Sequence, residues 1–332
     1  MLSEEQRMLQ QMVRDLGRTR GDAQPTEMWA AMGALGLLGV RISEEMGGAG
    51  MDGPALRVVL ESLASFSPDI ATQVMVHNLC VAESLQGCRS DASKATLAQL
   101  VSGELMGVGI LNVTSSGHLG FATTLRSVDT PAVVVSGTDV EIYEESLRES
   151  SGQGALGLSG LNVTAIDAAM ATWSRRSTWT LESVGTGVSS DVLWGLAAIL
   201  LGLARAAFDT SVRYASERVQ FGRPISDFQA IQWMIADSDA ELDGLEMLVG
   251  QAAENGDERS ALNAAVFGVD VARSVTDRAL QMHGGYGYTK EYGVEQHWRD
   301  ARFIGDVFLG GALGLKAHLG REGAGIDKVG GE

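Results

Sequence analysis

The sequence predicts a mainly α protein with a central β domain. Apolar residues follow a helical period from Leu2 to about Leu105. The period is lost between Met106 and about Val184 and returns from Ser189 onward. Proline is scarce, at five residues in 332, while Ala, Leu, Met and Glu are plentiful, a balance that favours long helices.

In the first stretch, Leu2, Met8, Leu9, Met12, Val13 and Leu16 mark one apolar face, and Leu56, Val59, Leu60 and Leu63 mark another. Between them, Ser43-Glu-Glu-Met-Gly-Gly-Ala-Gly50 reads as a loop, because its glycines break helices. Residues 1–105 are expected to form an N-terminal helical domain.

Short β-prone runs follow: Gly107 to Val113, Pro131 to Ser136, Val140 to Tyr143, and Trp179 with Leu181. Gly, Ser, Thr and Asp punctuate them. They predict a shortened middle β domain over 106–186, near the lower end of usual domain size.

In residues 187–332 the helical period is strong. Leu193, Leu196, Ala197, Leu200, Leu203, Ala207 and Ser211 form one face. Ile231, Ile235, Ser238, Leu242, Leu245 and Val249 form a second, and Leu262, Val266, Val269, Ala272, Thr276 and Ala279 a third. Long helices with short connections predict an up-down four-helix bundle.

Composition narrows the function. Hydrophobic residues make up 45% and charged residues 20%, which fits a soluble globular chain. A net charge of −17 argues against nucleic acid or an anionic membrane surface as partner, since both need clustered Lys and Arg. Two cysteines, Cys80 and Cys88, make no disulfide scaffold and fit a reducing compartment. The N-terminus is charged and amphipathic rather than a signal sequence. The apolar run Val192 to Leu203 is too short to span a bilayer. A cytoplasmic location is expected. His77, His118, His283, His297 and His318 show no metal-ligand spacing. No P-loop or nucleophile elbow is present.

Two segments carry chemistry. In Tyr214-Ala-Ser-Glu-Arg-Val-Gln-Phe-Gly-Arg-Pro-Ile-Ser-Asp-Phe-Gln229, a helix ends near Arg218 and Phe-Gly-Arg-Pro makes the turn. Arg218 and Arg223 flank it, and an arginine fork can hold a phosphate. The residues alone are equally those of a helix–helix corner with surface arginines. In Leu280-Gln-Met-His-Gly-Gly-Tyr-Gly-Tyr288, three glycines in four residues let a ligand approach the backbone, and Gln281 offers an amide. A helix terminator would look the same, and no strand precedes it as a dinucleotide fingerprint requires.

Together with Trp298-Arg-Asp-Ala-Arg302, these segments resemble the C-terminal domain of the FAD-dependent acyl-CoA dehydrogenases. The Glu45-Met-Gly-Gly-Ala-Gly50 loop is similar to the family's N-terminal domain, and the helix–β–helix order matches. The resemblance implies an FAD lying across a subunit interface, its isoalloxazine ring in the β domain of one chain and its pyrophosphate and adenosine on the bundle of a neighbour. Matched residue by residue, Arg218, Gln220, Phe221, Gln229, Gln281, Gly284 and Gly285 take the neighbour-facing contacts.

Two departures stand out. Family β domains carry a Thr-Glu-Pro loop and a Trp-Ile-Thr strand against the flavin. Here the loop reads Asn112-Val-Thr-Ser-Ser-Gly-His118, and nothing reads Trp-Ile-Thr. The family's catalytic glutamate, which takes the proton α to the thioester, falls on Phe308 or Leu309, and the alternative position in some members falls near Leu193. Asp306 and Asp191 are the nearby carboxylates; neither is assigned as base.

The resemblance therefore implies a base-less subunit of a heteromeric acyl-CoA dehydrogenase. A partner acyl-CoA dehydrogenase subunit, in a heterotetramer, would supply the flavin-holding β domain and the glutamate. The implied substrate is an acyl-CoA thioester, including steroid side chains, with a flavin electron acceptor. Two other readings stay open: a self-sufficient flavoenzyme with a relocated base, and a flavin-free scaffold or regulatory protein.

Overall fold

A computed structural model of the chain describes residues 2–20, 25–86, 90–108, 121–125, 132–136, 139–144, 161–165, 174–180, 190–309 and 315–316. Helix α1 (Glu4–Arg20) opens with a reciprocal cap. The Gln6 N–H donates to Ser3 Oγ at 3.1 Å, and the Ser3 N–H donates to Gln6 Oε1 at 3.0 Å. Its Leu9, Val13 and Leu16 are buried, but Met8 is 63% exposed, so the apolar face is narrower than the sequence pattern suggests.

Helices α2 (Pro25–Ala34), α3 (Gly53–Ala64) and α4 (Pro68–Met75) follow. Asp52 and Ser67 cap α3 and α4 by accepting from the N–H groups of Ala55 and Ile70. Pro54 and Pro68 sit in the first turns, where a missing N–H costs nothing. The expected loop at 43–50 holds one short turn, Glu44–Met46, ended by Gly47 at a φ of 87°. The chain runs from α4 through a π-helical stretch, Val76–Ala82, into α5 (Glu83–Gln86), and α6 (Asp91–Ser102) ends this half.

The middle region supplies a four-stranded sheet in the order β1-β3-β4-β6. Strand β1 (Met106–Val108) is parallel to β3 (Ala132–Ser136). The pairs β3 with β4 (Asp139–Glu144) and β4 with β6 (Ser174–Thr180) are antiparallel. A separate antiparallel pair joins β2 (Phe121–Leu125) to β5 (Leu161–Ala165). The sequence pattern missed these last two strands, whose Phe121-Ala-Thr-Thr-Leu and Leu161-Asn-Val-Thr-Ala runs mix polar and apolar residues too briefly to stand out. The expected strand residues 109–113, 131 and 181 lie outside the described residues. Strand β1 is tied to the π-helical stretch: Gly107 N–H donates to His77 Nδ1 at 2.9 Å, and Gln73 Nε2 donates to the Gly107 carbonyl at 2.7 Å.

The C-terminal half consists of α7 (Ser190–Glu217), α8 (Gln229–Asn255), α9 (Glu258–His283) and α10 (Val294–Phe303). Three of the four are long and α10 has only 10 residues. A π-helical turn, Ile304–Phe308, follows it. The predicted inner faces are buried, except that Ile231, Ile235 and Val266 are half-buried. Helix α7 packs against α3, α8 and α9 at the centre of the core. Gly202 permits this: a Cβ there would lie 2.1 Å from the Glu61 carbonyl oxygen of α3.

The apolar run at Val192 belongs to this longer helix of 28 residues, which by length and composition could cross a membrane, contrary to the expectation from the run alone. Most of its apolar stretch, 78%, is buried inside the protein, where α3, α8 and α9 satisfy it.

Candidate functional site

Between α7 and α8 the chain reverses in a two-residue hairpin. Strand β7 (Val219–Gln220) pairs with β8 (Arg223–Pro224), leaving Phe221 and Gly222 at the centre. Both have positive φ, 52° and 82°. Right-handed strand twist selects this turn, which normally takes Asn-Gly. Phenylalanine is strained there, by about 1–3 kcal/mol for a left-handed non-glycine residue. Yet the Phe221 side chain is 94% exposed, and its ring contact among the described residues is an edge contact with Phe228 at 6.2 Å. Burial within the described residues therefore does not offset this strain.

The facing wall is the end of α9. Gly284 stops the helix with a φ of 57° and ψ of −133°, a conformation that side chains rarely adopt. A Cβ at Gly284 or Gly285 would meet nothing within 4 Å, so both present bare backbone to open space. Between the walls runs a groove of about 510 Å³ lined by Arg218, Gln220, Gln281, Gly284 and Gly285, among others. The fold thus brings together five of the seven predicted cofactor residues. Phe221 projects from the hairpin and Gln229 is exposed at the first turn of α8; neither lines the groove.

Arg218 is held in place from two sides. Its N–H donates to the Tyr214 carbonyl, its carbonyl accepts from the Ile225 N–H, each at 2.8 Å, and its guanidinium lies 5.7 Å from the Tyr286 ring centre. Below the groove, Tyr214 stacks on His283 at 4.2 Å. His283 Nδ1 lies 2.8 Å from the Ala279 carbonyl, and burial holds its pKa below the usual value. Sequence reasoning did not single out Tyr214, His283 or Tyr286 as groove residues. All three lie inside the two quoted segments, so the segments themselves were the available signal. Fit to a dinucleotide is good: an exposed guanidinium, two side-chain amides and uncovered glycine backbone converge on one groove.

The candidate bases sit elsewhere. Asp306 is exposed and ion-paired to Arg273. Leu309 is 1% exposed within the main core, and the side chain of Phe308 lies outside the described residues. Asp191 accepts from Arg41 Nη1 at 2.6 Å and from the Trp194 indole at 2.7 Å. Arg41 Nε also lies 2.9 Å from Glu83, whose carboxyl burial pushes up to about 7 against the pull of Arg41. Leu193 is buried in the core.

The Trp298–Arg302 segment is a clasp between helices. Trp298 Nε1 and Arg302 Nη2 both donate to Asp277 of α9, at 2.6 and 2.9 Å, and the Arg302 guanidinium covers the Trp298 ring at 3.8 Å. Among the described residues no group of His, Cys, Asp and Glu could hold a metal.

A mostly helical chain interrupted by a sheet, with a cofactor-sized groove at a helix corner, defines the class; comparison defines the family. The model of the acyl-CoA dehydrogenase N-terminal domain matches residues 3–104, and that of the acyl-CoA dehydrogenase C-terminal domain matches residues 194–311. The chain belongs to the acyl-CoA dehydrogenase family. A probable acyl-CoA dehydrogenase of Bacillus subtilis is 28% identical, over 91% of this chain and 94% of its own length. A glutaryl-CoA dehydrogenase of Mycobacterium smegmatis in complex with FADH2 superposes with a TM-score of 0.75 at 19% identity, covering 98% of this chain and 95% of that one. A variant of the Tcur3481–Tcur3483 steroid ACAD superposes with a TM-score of 0.67 at 23% identity, covering 97% of this chain and 99% of that one. At such identities the two structures show a shared fold.

Proposed function

We propose that this chain completes the FAD site of a partner subunit in a heteromeric acyl-CoA dehydrogenase. The observation that carries the reading is an asymmetry. Arg218, Gln220, Gln281, Gly284 and Gly285 converge on an exposed groove, while the position of the family glutamate falls on Phe308 or on Leu309, a core residue. Bound FAD supplies the hydride acceptor for α,β-dehydrogenation of an acyl-CoA thioester.

The residues of this chain act on binding. Arg218 donates its fork to a phosphate, Gln281 and Gln220 offer amides, and Gly284 and Gly285 expose backbone. Phe221 offers a ring face, and its strain is offset when that face is covered. The proton on the α carbon is taken by the partner's glutamate. A bulky acyl chain, including a steroid side chain, is the substrate class, and a flavin protein accepts the electrons. The work is done in the cytoplasm.

The experiment is flavin absorbance per protomer with native mass, for the chain alone and co-expressed with a complete acyl-CoA dehydrogenase subunit. Two FAD per heterotetramer, and little flavin on the chain alone, are expected. One FAD per chain in a stable homotetramer overturns the reading.

A further inference from the structure

The N-terminal half grips the first turn of α7 through one guanidinium set between two carboxylates. Arg41 lies just past the short turn Leu37–Gly39, Glu83 opens α5, and Asp191 is the second residue of α7. Arg41 Nη1 donates to Asp191 Oδ2 at 2.6 Å, and Arg41 Nε lies 2.9 Å from Glu83 Oε1. The side chains of Arg41, Glu83 and Asp191 are mostly buried, at 26%, 22% and 17% exposure. Beside them, Ser190 Oγ donates to the Gly256 carbonyl at 2.8 Å, a bond within the bundle itself. Charge therefore ties the start of α7 to the N-terminal half through Arg41.

The geometry ranks the two carboxylates. Both oxygens of Asp191 are engaged, Oδ2 by Arg41 and Oδ1 by the Trp194 indole at 2.7 Å. Glu83 Oε1 is buried and, among the described residues, accepts no hydrogen bond, because the nearby Arg41 Nε–H is not aligned with it. Two negative charges share one positive charge, so a proton relieves the cluster, and it goes to the carboxylate that the guanidinium serves less well. Burial pushes the Glu83 carboxyl up to about 7, with Arg41 pulling it down and Asp191 adding a further push. The other neighbours do not compete. Cys80, in the π-helical stretch, has its thiol pushed up to about 12 by burial and then by Glu83, and His77 there is turned to Gly107. Helix α6 meets α5 through Ser93, whose hydroxyl donates to the Leu85 carbonyl at 2.6 Å, while its Asp91 and Lys94 are exposed. The loop after Arg41 meets α5 through the Ser43 N–H, which donates to Gln86 Oε1 at 2.8 Å, and its Glu44 and Glu45 are exposed.

We infer that Arg41, Glu83 and Asp191 form a proton-controlled clasp between the N-terminal half and the bundle. Protonated Glu83 leaves Arg41 wholly to Asp191; ionised Glu83 competes for the guanidinium and loosens the first turn of α7. The sign follows from the two states of Glu83. With the clasp open and the carboxyl in water, it ionises near ~4.3. With the clasp closed, it keeps its proton up to about 7. Between these values opening releases a proton, so a rise in pH favours opening, and the effect levels off above the closed-state value. A change of pH through neutrality thus alters how firmly α7, the central helix of the core, is held at its first turn. The clasp involves neither the cofactor groove nor a partner subunit.

Amide hydrogen exchange over the first turns of α7, measured on the full chain by mass spectrometry and corrected for the intrinsic rate at each pH, reads the clasp. Protection there should fall roughly tenfold between about pH 6 and pH 8, the factor set by ~4.3 for the open state and about 7 for the closed one. Helix α9, which holds none of the three residues, should not follow it. Glu83→Gln, which keeps the shape of the protonated acid, should hold the protection flat. Asp191→Asn, which leaves Arg41 to Glu83, should shift the fall to lower pH. Circular dichroism checks the fold of both variants. An equal decline in wild type and Glu83→Gln overturns the inference, as does no decline in wild type. If Glu83→Gln does not fold, the Asp191→Asn profile decides, and an unshifted fall overturns the clasp.

Discussion

Arg273 on α9 is ion-paired to Asp306 on the π-helical turn after α10. The carboxylate nearest the family's base position is therefore held by a guanidinium at the surface of the bundle. Asp306→Asn should leave the turnover of a co-expressed complex within about twofold and change stability by roughly 0–1 kcal/mol, as for an exposed pair. A loss of ~10²-fold or more in kcat would identify Asp306 as a general base and revive the self-sufficient reading.

Arg218 and Gln281 face the groove from opposite walls and are exposed. Replacing either by alanine should weaken FAD binding about 10- to 100-fold, the effect of a charge-assisted hydrogen bond worth ~1.5–3 kcal/mol. The melting temperature without cofactor should stay constant. Fluorescence titration with FAD and a thermal melt separate the two effects; unchanged affinity in both variants would reduce these residues to a helix corner.

Asp300 is buried, accepts from Gln296 at 2.7 Å, and is pushed up to about 7 by burial first and Asp69 second. In the unfolded chain it titrates near ~3.9. Between these values the folded protein keeps a proton that the unfolded chain has lost, so stability falls as pH rises. His297, pushed down to about 4 by burial, works in the opposite sense up to its ordinary 6.5. The wild-type profile is consequently shallow. The informative quantity is the difference between Asp300→Asn and wild type, which should move in favour of the variant from pH 4 to 7. A flat difference in melting temperature would show that Asp300 is ionised throughout.

Gly202 lets α7 lie directly on α3. Gly202→Ala places a methyl group against the Glu61 backbone and should destabilise by about 1–3 kcal/mol, as overpacking does. Urea denaturation is the measurement. A stabilised variant would mean that the two helices separate without cost.

The helical halves were legible because their apolar residues repeat with the helical period and most of those faces are buried, Leu193 to Ser211 above all. Met8 misled because a methionine on the rim of a helix reads the same as one beneath it. Strands β2 and β5 were illegible because five-residue strands lack enough periods to be distinguished from loop. At the site, Gln281 and Arg218 were found by motif, but nothing local showed that residues some sixty apart would line one groove.

The sequence by itself determined the order of helix, sheet and helix, the family, and the absence of glutamate at 308 and 309. Those are properties of residue type and local spacing. Only the tertiary structure decided which carboxylates were already engaged: Asp306 by Arg273, and Asp191 by Arg41 from the other half of the chain. It also decided that Phe221 stands exposed on a strained turn and that α8 turns Trp233 and Met247 outward. Ion pairing and exposure depend on segments brought together by burial of the common core, and no one-dimensional pattern records which segments those are.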